Sequence, residues 1–269
     1  FGALELDNTQ GAYLETDLYL NNDFYLTNGI FNVNSHLFSL SQSSLIQGSG
    51  YGTSKMIITN GSFGDAGVRK FIPAGPFNFD FPIGSGAGLG AKYTQVEFLI
   101  SANSTPGSIA VHPVNQAHIT VIGPNVLQYY WSITSSGISN FTGNAHLHYI
   151  NSDVVGDETL YYSARLLGDA WAKFPPETVL EDDDYISVDY TGVSDISGDY
   201  TAGYDSDIPA QIPVFISNGI GNWSDPTKWT RLDGLPVPAG GPQGHIVQIR
   251  EGDIITMDRY RILDRKSVV

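Results

Sequence analysis

The sequence predicts an all-β protein: a short β-solenoid (β-helix) segment, an antiparallel immunoglobulin-like β-sandwich, and the start of a further solenoid. Three observations carry this expectation. Apolar pairs recur near the beginning at a nearly fixed interval, and longer stretches of period-two alternation follow. Thirty glycines, with abundant Asn, Ser and Thr, punctuate the chain and disfavour long helices.

The first segment covers residues 1–67. Its pairs are Leu4/Leu6, Leu18/Leu20, Phe24/Leu26, Phe31/Val33 and Phe38/Leu40, followed by Leu45. From Leu18 onward the leading residues are spaced by six, seven, seven and seven. Turn formers separate them: Asn21-Asn22-Asp23, Asn28-Gly29, Asn34-Ser35 and Ser41-Gln42-Ser43-Ser44. Such short strands cannot bury an apolar face alone, so neighbouring segments must stack into one core. Three of them make about twenty residues, one coil of a three-sided solenoid.

The second segment, 68–214, carries longer alternating strands. The clearest are Tyr93–Ala102, His118–Ile122, Val126–Thr134, Ala145–Ile150, Thr159–Leu167, Ala170–Phe174 and Tyr185–Tyr190. Seven strands with regular turns point to a sandwich, with Trp131, Phe98 and Tyr161 as core mass. The third segment, 215–269, opens on Gly221-Asn222-Trp223-Ser224-Asp225-Pro226-Thr227-Lys228-Trp229, where two tryptophans suit a plug over a hydrophobic stack. Ile246–Ile249, Ile254-Ile255 and Met257 then restart the rhythm. The chain therefore reads as one window of a longer array, and a raw solenoid end would recruit other chains through unpaired strand edges.

Composition narrows the partners. There are 28 acidic and 13 basic residues, a formal net charge of −15, and no cysteine. Nucleic acid and anionic membrane are poor electrostatic partners, and thiol chemistry and disulfides are excluded. No apolar run approaches the length of a membrane span, so membrane insertion is not expected. Together these features suit an extracellular or cell-surface location.

Several landmarks appear in order: Phe71-Ile72-Pro73-Ala74-Gly75, Phe81-Pro82-Ile83-Gly84-Ser85 before Tyr93-Thr94, Gln128-Tyr129-Tyr130-Trp131-Ser132-Ile133, Asp199–Gly203 and Gly221–Trp229. This series resembles a recurring unit of large secreted repeat proteins from gliding, type IX-secreting bacteria. The resemblance implies a surface adhesin or filament built of tandem modules. Its partners would be a surface polysaccharide or other cell-surface ligand, and tandem neighbours or copies associated head to tail.

The acidic run Glu181-Asp182-Asp183-Asp184 is the foremost site candidate. Asp182, Asp183 and Asp184 would offer carboxylates to calcium, a cation that wants about six to eight oxygens on a loop able to curl. The competing reading is a solvated acidic surface that aids solubility. No other cofactor is indicated. His146 and His148 share one strand face, but zinc needs a third ligand that the local sequence does not supply. Glu15 and Asp17 are read as one strand face, the spacing a glycosidase pair would use. No lysine or arginine precedes Lys55 to hold a sugar acid, so a solvated face is preferred. Tyr19, Tyr25, Tyr129, Tyr161 and Tyr190 suggest either a sugar-stacking face or half-buried cross-strand pairing. The expectation is a non-catalytic structural or adhesive module; the alternative is an accessory or catalytic part of a polysaccharide-degrading enzyme.

Overall fold

Parallel strands one coil apart bury the apolar pairs of the first segment. The computed structural model describes residues 2–86, 88–174, 178–181, 183–232, 234, 236–242 and 246–258, and among them the protein is all-β. Nine strands come first: β1 (Leu4–Asp7), β2 (Ala12–Tyr13), β3 (Leu18–Leu20), β4 (Phe24–Asn28), β5 (Phe31–Asn34), β6 (Leu37–Leu40), β7 (Ile46–Gln47), β8 (Ile57–Thr59) and β9 (Gly67–Ile72). They pair in three parallel columns, β1-β4-β7, β2-β5-β8 and β3-β6-β9. Leu4 lies opposite Phe24, Ala12 opposite Phe31 and Leu18 opposite Phe38.

The core follows from this register. Phe24, Phe31 and Phe38 come from three different columns yet meet at ring-centroid distances of 5.0, 5.3 and 5.2 Å. Leu6, Leu20, Leu26, Val33 and Leu40 are buried around them. Gly29 holds a φ of +87°, and a Cβ there would fall 1.9 Å from the Asn8 carbonyl oxygen one coil earlier. Only glycine makes this turn at this spacing. The rhythm ends one residue late: Leu45 is exposed and Ile46 begins β7. The serine turn is responsible, because Ser41 N and Ser44 Oγ both donate to the Leu20 carbonyl and lengthen the corner.

The remaining strands of the middle of the chain are β10 (Phe77–Phe81), β11 (Ile83–Ser85), β12 (Lys92–Tyr93), β13 (Val96–Ala102), β14 (Gly107–Val114), β15 (Tyr130–Ser136), β16 (Phe141–His148), β17 (Tyr161–Leu167), β18 (Ala170–Lys173), β19 (Val179–Leu180), β20 (Tyr185–Val193) and β21 (Gly198–Tyr204). One antiparallel sheet runs β10-β13-β16-β20-β19. The other runs β18-β17-β21-β15-β14-β9 and continues into β6 and β3. The strand β9 therefore pairs parallel with β6 on one side and antiparallel with β14 on the other. The expected boundary at 67/68 falls inside it. A second joint forms where β11 extends the middle column by pairing parallel with β8. Core residues of the columns and of both sheets, among them Phe38, Val68, Phe98, Trp131 and Tyr161, form one continuous cluster.

Two expected strands are corrected. Residues 118–122 form a turn, because the His118 ring accepts from the Thr120 backbone N–H and bends the chain. Of the stretch 126–134, Val126 makes only an isolated antiparallel bridge to Gly203, Gln128 N is drawn off to the Asp153 carbonyl, and continuous strand begins at Tyr130. The middle of the chain also holds strands outside the expected set, β9, β10, β11, β14, β19 and β21. In β14, Pro113 sits opposite Trp131, a position where a proline argues against strand in the sequence, and β10 is flanked by Pro76 and Pro82.

Parallel pairing returns near the end of the chain in β22 (Val214–Ser217), β23 (Ile220–Asn222), β24 (Trp229–Arg231), β25 (Ile246–Gln248) and β26 (Ile254–Thr256). The strand β22 pairs parallel with β25, and β23 with β26. Trp223 and Trp229 meet edge to face at 4.9 Å and share a small core with Phe215 and Val247.

Candidate functional site

Four acidic residues of the first segment, Glu5, Asp7, Asp17 and Asp23, join one coil to the next. Asp17 Oδ1 accepts from Leu37 N at 2.9 Å, and Asp23 accepts from Leu45 N and Gln47 Nε2 at 2.9 and 3.0 Å. Glu5 accepts from Thr27 Oγ1 at 3.0 Å and Asp7 from Asn28 Nδ2 at 2.5 Å. Each bond reaches one coil ahead, and exposed bonds of this kind each contribute on the order of 0.5–1 kcal/mol. Glu15 and Asp17 do not lie on a strand: they occupy the bend between β2 and β3, where Asp17 caps the following coil. The shared strand face expected of the two does not form, and both side chains are exposed.

Of the acidic run, Glu181, Asp183 and Asp184 lie in turn conformation between β19 and β20. Asp183 N donates to the Leu180 carbonyl, and Asp184 adopts a left-handed φ of 55°. Asp182 lies outside the described residues. Among the described residues no group of three His, Asp or Glu side chains converges as a metal would require.

A polar row does assemble on the outer face of the sheet β10-β13-β16-β20, from residues that the sequence keeps far apart. Burial alternates along β13, with Val96, Phe98 and Ile100 inward and Glu97 and Leu99 outward. Register places Asp80 opposite Glu97, Glu97 opposite His146, and His146 opposite Ser187. Directly opposed residues present their side chains on the same face. Glu97 Oε2 sits 3.3 Å from His146 Nδ1 and 3.8 Å from His148 Nε2. Its other oxygen accepts from Gln95 Nε2 at 2.6 Å, and Gln95 in turn accepts from Tyr93 Oη at 2.6 Å. The Tyr185 ring lies 4.5 Å from that of His146 and 5.1 Å from that of His148.

Electrostatics here follow partial burial. Desolvation, reinforced by the Glu97 charge, raises the Asp80 carboxyl above the usual range, and His148 opposes the shift. Desolvation also lowers the His148 imidazole despite the neighbouring Glu97. Tyr51 and Tyr93 are both raised, by desolvation first. Beside Asp80 a cavity of about 240 Å³ opens at the joint between coil and sheet, lined by Gln47, Gly48, Tyr51, Asn78 and Asp80. Tyr51 Oη has no hydrogen-bond partner among the described residues. His146 and His148 were visible in the sequence as a pair on one face, but Glu97, Asp80 and Tyr185 were not linked to them. The available signal was the outward phase of the alternation in 77–81, 96–102 and 185–193.

Two buried polar groups serve the fold. His118 Nε2 lies 3.2 Å from Asp199 Oδ2, its Nδ1 lies 2.9 Å from Thr120 Oγ1, and Trp171 Nε1 donates to that hydroxyl at 3.0 Å. The hydroxyl–imidazole–carboxylate order mimics a nucleophile relay. His118 is 2 % exposed, Thr120 2 % and Asp199 4 %, so no substrate reaches it. It pins the 115–127 excursion to the sheet. Lys70, fully buried on β9, donates to the Ser41 and Gln42 carbonyls at 2.6 and 2.8 Å and lies over the rings of Phe77 and Phe79. Desolvation lowers its pKa to about 8. Of the tyrosines considered for sugar stacking, Tyr129, Tyr161 and Tyr190 are buried and only Tyr19 and Tyr25 are exposed, so that face does not exist.

The fold and this row define an all-β protein with a polar, aromatic-flanked sheet face. No family model, curated protein or solved structure matches the chain.

Proposed function

We propose that the protein is a non-catalytic structural and adhesive module of an extracellular repeat protein or filament. In this reading the three parallel columns are a short β-solenoid, the two antiparallel sheets an immunoglobulin-like sandwich, and the β22–β26 region the start of a second solenoid. The observation that carries it is the register of the columns, in which Leu4, Phe24 and Ile46 stack one above another and acidic side chains tie each coil to the next. Stacked coils with a continuous core make a stiff rod, and β9 fastens that rod into a sheet. The order of landmarks from Phe71 to Trp229 supports a type IX-secreted surface protein as the parent.

The acidic surface and the formal charge of −15 favour a neutral cell-surface ligand and disfavour polyanions. A reducing-sugar release assay against a panel of neutral and acidic polysaccharides tests the reading. Binding without release of oligosaccharide is expected. Release that disappears in Glu97→Gln would replace the adhesive reading with that of a polysaccharide-degrading enzyme.

A further inference from the structure

We infer that the outer face of the β10-β13-β16-β20 sheet is a binding groove for an uncharged oligosaccharide, running from the cavity beside Tyr51 to Tyr185. The inference rests on the adhesive reading above and gives it a location and a ligand class.

Length comes first. From β10 to β20 the row crosses three inter-strand steps, about 14 Å in all, which suits a short run of sugar rings. The cavity of about 240 Å³ adds a terminal pocket at the Asp80 end. Chemistry comes second. Sugar hydroxyls both donate and accept, so they need planar acceptors and donors set side by side. Glu97, His146 and Asn78 supply these along one face, and Asn78 and Asp80 line the pocket end. At the other end the Tyr185 ring is braced by both histidine rings, which fixes an aromatic surface for the apolar face of a sugar ring. Preorganisation of this sort lowers the ordering cost of binding.

Charge comes third and selects the class. Asp80 and Glu97 lie in the row itself, and Asp189 stands on the neighbouring outward position of β20. No lysine or arginine occupies the outward positions of β10, β13, β16 or β20. Uronate or sulfated chains would meet like charge with no compensating cation. A neutral chain meets hydrogen-bonding groups without that penalty.

The experiment is an array of neutral, amine-bearing and uronate oligosaccharides, probed with the whole chain and with Tyr185→Ala, Glu97→Gln and Tyr13→Ala. Tyr13 is exposed on the distant β2 and serves as the control. Expected is binding confined to neutral glycans, a loss of tenfold or more in Tyr185→Ala and in Glu97→Gln, and no change in Tyr13→Ala. Unchanged melting of the two groove variants would show that the loss is local. Binding that survives both groove variants, a preference for amine-bearing or uronate chains, or no glycan bound at all would overturn the inference. Neutral glycan binding lost only in Tyr13→Ala would move the site to the columns, leaving the adhesive reading intact while this groove fails.

Discussion

The parallel columns and the antiparallel sheets solve the same burial problem in opposite ways. In the columns a residue's partner lies about one coil away along the chain, so Leu18 meets Phe38 and Asp17 meets Leu37. In the sheets the partner sits at no fixed distance: Glu97 meets Asp80 on one side and His146 on the other. The first arrangement makes a regular body in which polar side chains are consumed by coil-to-coil bonds. The second gathers unrelated residues on one face and leaves some of them without partners. In the proposed reading, regular stacking supplies stiffness and non-local pairing supplies the site.

The largest effect expected from perturbing this contrast belongs to the phenylalanine triad. Phe38 is fully buried between Phe24 and Phe31, and Phe38→Ala should cost about 3–5 kcal/mol in chemical denaturation. The joint comes next. The unfolded chain holds the Lys70 proton to a pKa of about 10.4, whereas the folded chain releases it near 8. Stability therefore rises with pH between those two values, by about 1.4 kcal/mol per unit at most, and the contribution is absent below pH 8. Measured against Lys70→Met, the wild type should gain about 2–3 kcal/mol from pH 8 to 10. A flat difference would show that the ammonium is solvated. The smallest effect should come from Asp23→Ala, which removes two coil-to-coil bonds and should lower stability by about 1 kcal/mol.

The same contrast explains what was legible in the sequence. The spacing of the short strands, the paired apolar residues and the return of short strands near Ile246 all show as local rhythm, because parallel pairing repeats a local pattern. Core residues such as Trp131, Phe98 and Tyr161 were also readable, since a large aromatic on an alternating strand has one apolar side to fill. The polar row was not. Its members lie on four strands joined by loops of different length, and nothing local to Glu97 indicates that His146 will face it. The displacement at Leu45 and the bend holding Glu15 and Asp17 escaped for another reason: side-chain hydrogen bonds to backbone set those corners, overriding the hydrophobic spacing. Pro113 concealed β14 by removing a donor where the strand tolerates the loss.

Continuity through β9 is the claim on which the stiff-module account stands, and residue-resolved hydrogen exchange of wild type and Phe38→Ala tests it most directly. If coil and sheet form one cooperative body, the substitution lowers the opening free energy of β5, β6, β9, β14 and β15 by the same amount. Loss of protection confined to β1–β8, with β14 and β15 exchanging as in the wild type, would contradict it.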